Sequence, residues 1–267
     1  DLRMRVIERG TSTPIDDAKI SISYSGDPDS TVEEVNTDAS GMSETLTLDT
    51  PPLELSMQPS EVQPYAEYTI QVTAKGYRPI NISGIEVFSG QLSLQEIRMD
   101  AEKATESMTD NIVIPAHTLF AEYPPKIAEA EIKPVTETGE IVLSRVVIPE
   151  YVIVHDGAPS DPTAGDYVRY RDYIKNVASS EIYSPWPDAT IRANVLAIMS
   201  FTLNRVYTEW YRNKGYSFTI TSSTAYDQKF MYGRNIYQSI SDVVDEMFQN
   251  YLSRPNVRQP ILTQYCD

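Results

Sequence analysis

The sequence has few of the residues that form disulfides or bind metals. Among its 267 residues are one cysteine, Cys266, and two histidines, His117 and His155. A single cysteine excludes an internal disulfide framework and a four-cysteine zinc site. Two histidines leave few ligands for a histidine-based metal centre. We therefore expect no metal site, and we predict no cofactor.

Long apolar runs and an excess of basic residues are also missing. No stretch approaches the roughly 18 uninterrupted apolar residues of a membrane-spanning helix, so the sequence predicts no membrane span. The formal charge is −16, from 22 Lys and Arg against 38 Asp and Glu. This charge argues against a nucleic-acid partner, since neutralising phosphates requires Lys and Arg. With 41% hydrophobic and 22% charged residues, the composition excludes a wholly disordered chain, a collagen and a coiled coil.

The acidic charge is concentrated towards the N-terminus. The net charge is −12 over residues 1–110 and +1 over residues 166–267. A shift of this size along one chain predicts two units with different roles. We assign residues 1–103 to a first domain, 104–140 to an extended, proline-marked connecting segment, and 141–267 to a second domain.

Short alternating segments separated by turns occupy the first hundred residues. Apolar and polar side chains alternate over residues 2–7, 18–24 and 68–74, which is the period of a half-buried strand. The spacing of the turns between them predicts an antiparallel β-sandwich. Three short motifs, PIDDAKI from residue 14, TDASG from residue 37 and AKGY from residue 74, resemble the carboxypeptidase-regulatory, prealbumin-like domain family. That resemblance implies a spacer or interaction module.

The rest of the chain is predicted to be a mixed α+β domain with a long central helix. Apolar residues at three- and four-residue spacing indicate helices, and β-branched runs indicate strands. Asp172 and Asp188 are the expected N-caps of the first two helices, and Gly215 is the expected end of the long one. The predicted strands are 141–148, 151–154, 167–171, 216–221 and 260–266, and the predicted helices are 173–182, 189–214 and 235–252.

A glutamate lies at the end of the apolar face of the first predicted helix. Ile174, Val177, Ala178 and Glu181 are spaced i, i+3, i+4 and i+7, which places them on one face. A carboxyl group partly removed from water is harder to ionise, and a general acid that works near neutral pH needs this property. The pattern leaves an alternative open, because a glutamate near a helix end also extends into solvent or pairs with an arginine.

Three segments of the second domain resemble the stage II sporulation protein D (SpoIID/LytB) family. The segment YIKNVASSEI from residue 173 is similar to the family's entry motif, in which a Tyr-containing apolar helix ends in an Ala-rich turn and a Glu. ANVLAIMSFTLNR from residue 193 fits its second helix, and TAYDQKFMYG from residue 224 fits its Asp-Gln loop. Through NVASSE and SFTLNR the chain looks most like the clostridial spore cortex-lytic enzymes of SleC type.

This resemblance implies a peptidoglycan lytic transglycosylase with Glu181 at the position of the catalytic glutamate. In that reaction one carboxyl group protonates the glycosidic oxygen, and the muramic-acid 6-hydroxyl closes on its own anomeric carbon to give a 1,6-anhydro end. The lack of an obvious partner carboxylate suits this chemistry, since ordinary glycosidases need two. The implied partner is the MurNAc-GlcNAc glycan strand of the cell wall or spore cortex, outside the cytoplasm, with an activating protease or another spore or cell-wall protein as a further partner.

Aromatic and polar residues near Glu181 are the candidate substrate contacts, because aromatic faces can stack on sugar rings. For each of them a structural role stays open: core packing for the rings, closure of the loop for the Asp-Gln pair, and a hydrogen bond between Ser200 and Glu181 if the two helices pack. The candidates are Tyr183, Trp186, Ser200, Tyr226, Asp227, Gln228 and Tyr232.

The chain also departs from the family pattern. Met199 stands where the broader family has Arg, and Ser222 or Ser223 stands where Asp is common. No histidine follows His155, so the zinc described for some members is not expected. The family's C-terminal segment would follow Asp267, and we expect the given sequence to stop inside its catalytic domain. The alternative function is therefore a non-catalytic peptidoglycan-binding or sporulation assembly protein that keeps the glutamate without a working cleft.

Overall fold

The computed structural model describes residues 1–102, 108–127 and 142–264, and these residues form a mixed α+β protein. The predicted mixed α+β class is confirmed. The strands within these ranges are β1 (Leu2–Glu8), β2 (Lys19–Tyr24), β3 (Asp27–Asn36), β4 (Ala66–Thr73), β5 (Ile80–Val87), β6 (Ser93–Met99), β7 (Asp110–Val113), β8 (Tyr151–His155), β9 (Gly165–Arg169), β10 (Ile220–Thr221) and β11 (Ile236–Tyr237). The α-helices are α1 (Tyr170–Glu181), α2 (Asp188–Tyr207) and α3 (Gln238–Met247).

The chain divides into two compact units. The first contains Asp1–Phe120 together with two short segments from later in the chain, Tyr183–Trp186 and Tyr232–Ser239. The second contains the remainder, Ala121–Ile182, Pro187–Met231 and Ile240–Asp267. The two short segments fall within the range that the sequence assigned to the second domain.

Two sheets form the framework of the first unit. One has the strand order β3-β2-β4-β5-β7 and the other β1-β6-β11. The sequence predicted antiparallel pairing, but β1 pairs with β6, and β5 with β7, in parallel. A parallel neighbour cannot be joined by a tight hairpin, so these strands come together from distant parts of the chain.

One hydrophobic core serves both sheets of the first unit. Met4 and Val6 of β1 belong to the same buried cluster as Ile22 of β2, Ile70 of β4 and Ile82 of β5. The alternation of buried and exposed side chains along β1 follows directly from the two-residue period of a strand. This shared core is the arrangement of a β-sandwich.

A small sheet with the order β10-β8-β9 lies in the second unit. Residues 142–148, predicted as a buried strand, are not in a strand, and Ile141 lies outside the described residues. The predicted strand at 216–221 is reduced to β10. Residues 260–264 contribute one isolated bridge, Ser253 to Pro260, and the rest of the predicted strand, with Cys266, lies outside the described residues.

The helices differ from the prediction at their ends. The first turn of α1 begins at Tyr170 with Arg169 in the N-cap position, so Asp172 is inside the helix. Likewise Pro187, rather than Asp188, occupies the N-cap position of α2. That helix stops at Tyr207 because Glu209 has a left-handed φ of 47°, which an α-helix cannot accommodate.

The third helix is shorter than predicted. It covers Gln238–Met247, because Ile236 and Tyr237 form β11 and pair with Leu94 and Ser93 of β6. In the part of the chain that the structure describes, no helix has the length and apolar character needed to cross a membrane.

Candidate functional site

Glu181 is the last residue of α1 and ends the buried face of that helix. Ile174, Val177 and Ala178 on this face are fully buried, and Glu181 is half-buried. Its Oε1 accepts a hydrogen bond of 2.7 Å from the backbone N–H of Lys229. A charge-assisted bond from a backbone amide is short and directional, so one oxygen of this carboxylate has a fixed position.

The loop that supplies this amide is attached to α1 by a second pair of hydrogen bonds. The Asn176 side chain donates through Nδ2 to the carbonyl of Met231 at 2.8 Å and accepts the Met231 N–H through Oδ1 at 2.9 Å. Because the amide group is planar, this two-way contact fixes both the distance and the orientation of the loop backbone. Asn176 therefore positions the stretch that runs from Lys229 to Met231.

The buried side chain of Asp227 holds the same loop in place within the second unit. Its Oδ1 accepts from Nε of Arg205 at 2.6 Å, and both side chains are completely buried. Its Oδ2 accepts from the Tyr211 hydroxyl at 2.6 Å and from the backbone N–H and hydroxyl of Thr221 at 2.8 and 2.7 Å. These bonds hold the loop closed, and a substrate contact through this carboxylate would require the loop to open.

Gln228 is also completely buried. Its Oε1 accepts from the Thr202 hydroxyl at 2.8 Å and the Tyr173 hydroxyl at 3.2 Å, and its Nε2 donates to the Ile198 carbonyl at 3.1 Å. Burial, followed by the negative charges of Asp227 and Glu181, raises the pKa of Tyr173 well above its usual value. The Tyr173 hydroxyl therefore stays protonated and remains a hydrogen-bond donor to Gln228.

Ser200 does not make the hydrogen bond to Glu181 that packing of the two helices would allow. Its hydroxyl donates to the Leu196 carbonyl at 2.6 Å and accepts from the Leu252 N–H at 2.8 Å, because serine in a helix readily bonds the carbonyl one turn back. Ser200 has no exposed surface. Tyr226 is half-buried, and its backbone carbonyl accepts from Nη2 of Arg205 at 3.2 Å.

The other three candidates belong to the first unit. Tyr183 is buried, and its ring lies 4.7 Å from His117 and 5.7 Å from Trp186. Burial, together with the smaller effect of Glu86, raises the pKa of Tyr183 to about 12. Trp186 is half-buried and donates through Nε1 to a carbonyl at 2.9 Å. Tyr232 is 45% exposed and accepts a hydrogen bond from Arg9 at 2.9 Å.

The structure thus brings five of the eight predicted residues into one unit with Glu181 among them. It links Glu181 to the Asp-Gln loop through a backbone amide, whereas the Asp-Gln side chains point into the protein. Sequence reasoning missed Asn176, Arg205 and Lys229, although all three lie inside the quoted motifs. Arg205 had a signal, because it lies seven residues after Ile198 on the apolar face of α2, where a charge needs a buried partner.

Metal ligands do not gather in the described part of the chain. No group of three or more His, Cys, Asp or Glu side chains there is arranged to hold a metal ion. His155 is buried, stacks on Phe218 at 4.4 Å and hydrogen-bonds the Ala158 carbonyl at 3.0 Å.

No protein-family model and no curated protein matches the chain. Among solved structures, 5-hydroxyisourate hydrolase from Klebsiella pneumoniae is similar at 14% identity over 38% of this chain and 91% of that one, with a TM-score of 0.25. Transthyretin from Sparus aurata is similar at 10% identity over 38% of this chain and 90% of that one, with a TM-score of 0.24. Likenesses as low as these establish neither a family nor a function.

Proposed function

We propose that this chain is a peptidoglycan lytic transglycosylase of the SpoIID type, with Glu181 as the single catalytic acid and base. The proposal rests on the position, burial and hydrogen bonding of Glu181. It ends the buried face of α1, is half-buried, and has Oε1 held by the Lys229 amide at 2.7 Å. A carboxyl group in fixed orientation at the edge of an apolar face is the group that proton transfer to a glycosidic oxygen requires.

The chemistry needs one carboxyl group acting twice. Protonated Glu181 gives its proton to the oxygen of the glycosidic bond, and that bond breaks as the leaving sugar takes up the proton. The resulting carboxylate then accepts the proton of the muramic-acid 6-hydroxyl, whose oxygen bonds to the anomeric carbon of the same residue. The products are a new hydroxyl end and a 1,6-anhydro-muramic end, and no water enters the reaction. On this proposal the chain acts outside the cytoplasm, on cell wall or spore cortex.

The positioning network of the loop supports this assignment. Asn176 fixes Met231, Asp227 is paired with Arg205, and both contacts hold the backbone that donates to Glu181. A rigid supporting shell is what keeps an acid in productive geometry. The sandwich of the first unit is proposed as a prealbumin-like spacer or interaction module.

A second candidate is a non-catalytic peptidoglycan-binding or sporulation assembly protein. It is favoured by the burial of Ser200, Asp227 and Gln228, which have no exposed surface and whose polar side-chain atoms make hydrogen bonds within the protein. Fewer side chains are then left to hold a glycan strand against Glu181 than the family resemblance implies.

The experiment that separates them is mass spectrometry of the muropeptides released from purified peptidoglycan sacculi and spore cortex. The variants are Glu181→Gln and, as a matched control, Glu209→Gln, a half-buried glutamate of the second unit whose partner is Arg212 at 3.5 Å. We expect 1,6-anhydro-muramic ends from the wild type and from Glu209→Gln, and none from Glu181→Gln.

Other products would change the assignment. Reducing ends in place of anhydro ends would indicate a hydrolase and a second carboxylate. Binding to the sacculi without any release, in the wild type as in Glu181→Gln, would support the non-catalytic candidate.

A further inference from the structure

A cavity of about 300 Å³ opens in the first unit, beside Trp186. Tyr183, Leu55, Met57 and Leu119 form its other main walls. This volume is at the low end of the range for small-molecule sites. It therefore suits a single ring better than a long peptide.

The two aromatic side chains of this cavity are fixed in place. The Trp186 indole N–H donates to the Ser56 carbonyl at 2.9 Å, and the Tyr183 ring meets the indole at an interplanar angle of 68°. Tyr183 in turn packs on Phe88 at 5.3 Å. Aromatic walls that are already ordered lose little freedom when a ligand binds, and their apolar faces match the C–H face of a sugar ring.

Tyr183 adds a polar group to the lining of this cavity, which favours a ligand with polar atoms. The residue is buried, with a relative exposure of 7%, and it is one of the residues that line the cavity. A phenolic hydroxyl can both donate and accept a hydrogen bond, so a ligand that offers it a polar atom gains specificity as well as affinity. On the rim, the exposed side chain of Gln58 adds an amide that can both donate and accept.

Charge restricts the ligand further. None of the described residues that line the cavity is charged, so an ionic ligand would lose its hydration there without gaining a charged partner among them. The net charge of −12 over residues 1–110 additionally repels anions. The site is therefore built for an uncharged ring that has one apolar face and polar edges.

We propose that this cavity is a subsite for an uncharged N-acetylated sugar ring of a glycan strand, with Trp186 as the stacking platform and the Tyr183 hydroxyl as a hydrogen-bond donor. The acetyl methyl group would lie against the apolar walls at Met57 and Leu119. The choice of an N-acetylated sugar among uncharged rings rests on the proposed function.

The probe for this subsite is tri-N-acetylchitotriose. The chain has two tryptophans, so Trp210→Phe leaves Trp186 as the sole tryptophan, and with selective tryptophan excitation we expect a saturable change of its emission on titration. Calorimetry then measures the variants that alter the site. We expect Trp186→Ala to weaken binding at least about tenfold and Tyr183→Phe to weaken it several-fold, because the loss of a stacking face costs more than the loss of one hydroxyl. Tyr167→Phe makes the same chemical change at a tyrosine that is 74% exposed and should bind like the wild type.

The Glu181→Gln variant separates this inference from the proposed function. If the Glu181→Gln variant binds chitotriose like the wild type, and binding depends on Trp186 and Tyr183, the proposed subsite is supported even if no glycan cleavage is found. The subsite is overturned if the wild type does not bind chitotriose, if binding survives both Trp186→Ala and Tyr183→Phe, or if a proline-rich peptide binds at Trp186 in its place. Tyr183→Phe keeps the packed ring, so its result does not depend on a folding defect.

Discussion

Replacing Asp227 by alanine should destabilise the second unit far more than removing a surface charge does. The Arg205–Asp227 pair joins Nε to Oδ1 at 2.6 Å with both side chains completely buried, and Tyr211 and Thr221 donate to the other carboxylate oxygen. Removing one partner of a buried ion pair costs about 3–5 kcal/mol, because the remaining charge is left without compensation. The guanidinium lies over the rings of Phe201 and Trp210, which cannot replace a carboxylate.

The matched control is Asp188→Ala on the surface of the same unit. Asp188 pairs with Arg192 at 2.6 Å, but its side chain is 68% exposed, and exposed pairs contribute only about 0–1 kcal/mol. Urea unfolding followed by Trp210 fluorescence, in a Trp186→Phe background, reports on the second unit. With a urea dependence of about 2 kcal/mol per molar, the midpoint should fall by roughly 1.5–2.5 M for Asp227→Ala and by less than about 0.5 M for Asp188→Ala.

A double-mutant cycle tests the cause of this loss. Arg205→Met removes the charge and keeps much of the side-chain volume, so Asp227→Ala together with Arg205→Met leaves no charge of the pair buried. We expect the double variant to lose less free energy of unfolding than the sum of the two single variants. A loss for Asp227→Ala no larger than that for Asp188→Ala, or strict additivity in the cycle, would refute the reasoning.

Two further predictions concern the first unit. Gly41 has a φ of 74°, and a Cβ there would lie 2.4 Å from the Val6 carbonyl oxygen, whereas Gly10 has a φ of 88° with open space around it. Gly10→Ala should therefore cost only the left-handed backbone penalty of about 1–2 kcal/mol, and Gly41→Ala should cost more, as measured by thermal unfolding. Burial raises the pKa of Glu86 against the attraction of Arg234. The Glu86 carboxyl group therefore ionises at a lower pH in the unfolded chain than in the folded protein. Between these two pH values the free energy of unfolding falls as the pH rises. Urea unfolding over a pH series should show this fall in the wild type and not in Glu86→Gln.

Alternation along the chain predicted individual strands well but not their partners. Residues 2–7, 18–24 and 68–74 lie in or largely overlap β1, β2 and β4, because the exposed and buried faces of a strand are recorded in consecutive residues. The parallel pairing of β1 with β6 joins segments some ninety residues apart, and no local pattern records such a partner. The same long-range pairing turned the start of the third predicted helix into β11.

For the candidate site, too, the sequence predicted the position of a residue but not its partners. The spacing along α1 placed Glu181 at the end of a buried face, and the structure has it there. The partner of its carboxylate, the Lys229 amide, lies 48 residues further along the chain. Asn176 binds Met231 across 55 residues. Since both contacts use backbone groups, the identity of the loop residues could not indicate them.

The burial of Asp227 and Gln228 changes what the Asp-Gln loop contributes to the proposed reaction. Both side chains hold the loop in place, and what the loop offers Glu181 is the backbone amide of Lys229, which among substitutions at that position only proline removes. Asp227→Ala should therefore reduce glycan cleavage together with the free energy of unfolding, because the loop that positions Glu181 loses its buried anchor. Glu181→Gln should abolish cleavage while the free energy of unfolding stays close to that of the wild type. Cleavage and stability measured on the same two variants thus separate a residue that positions the acid from the group that transfers the proton.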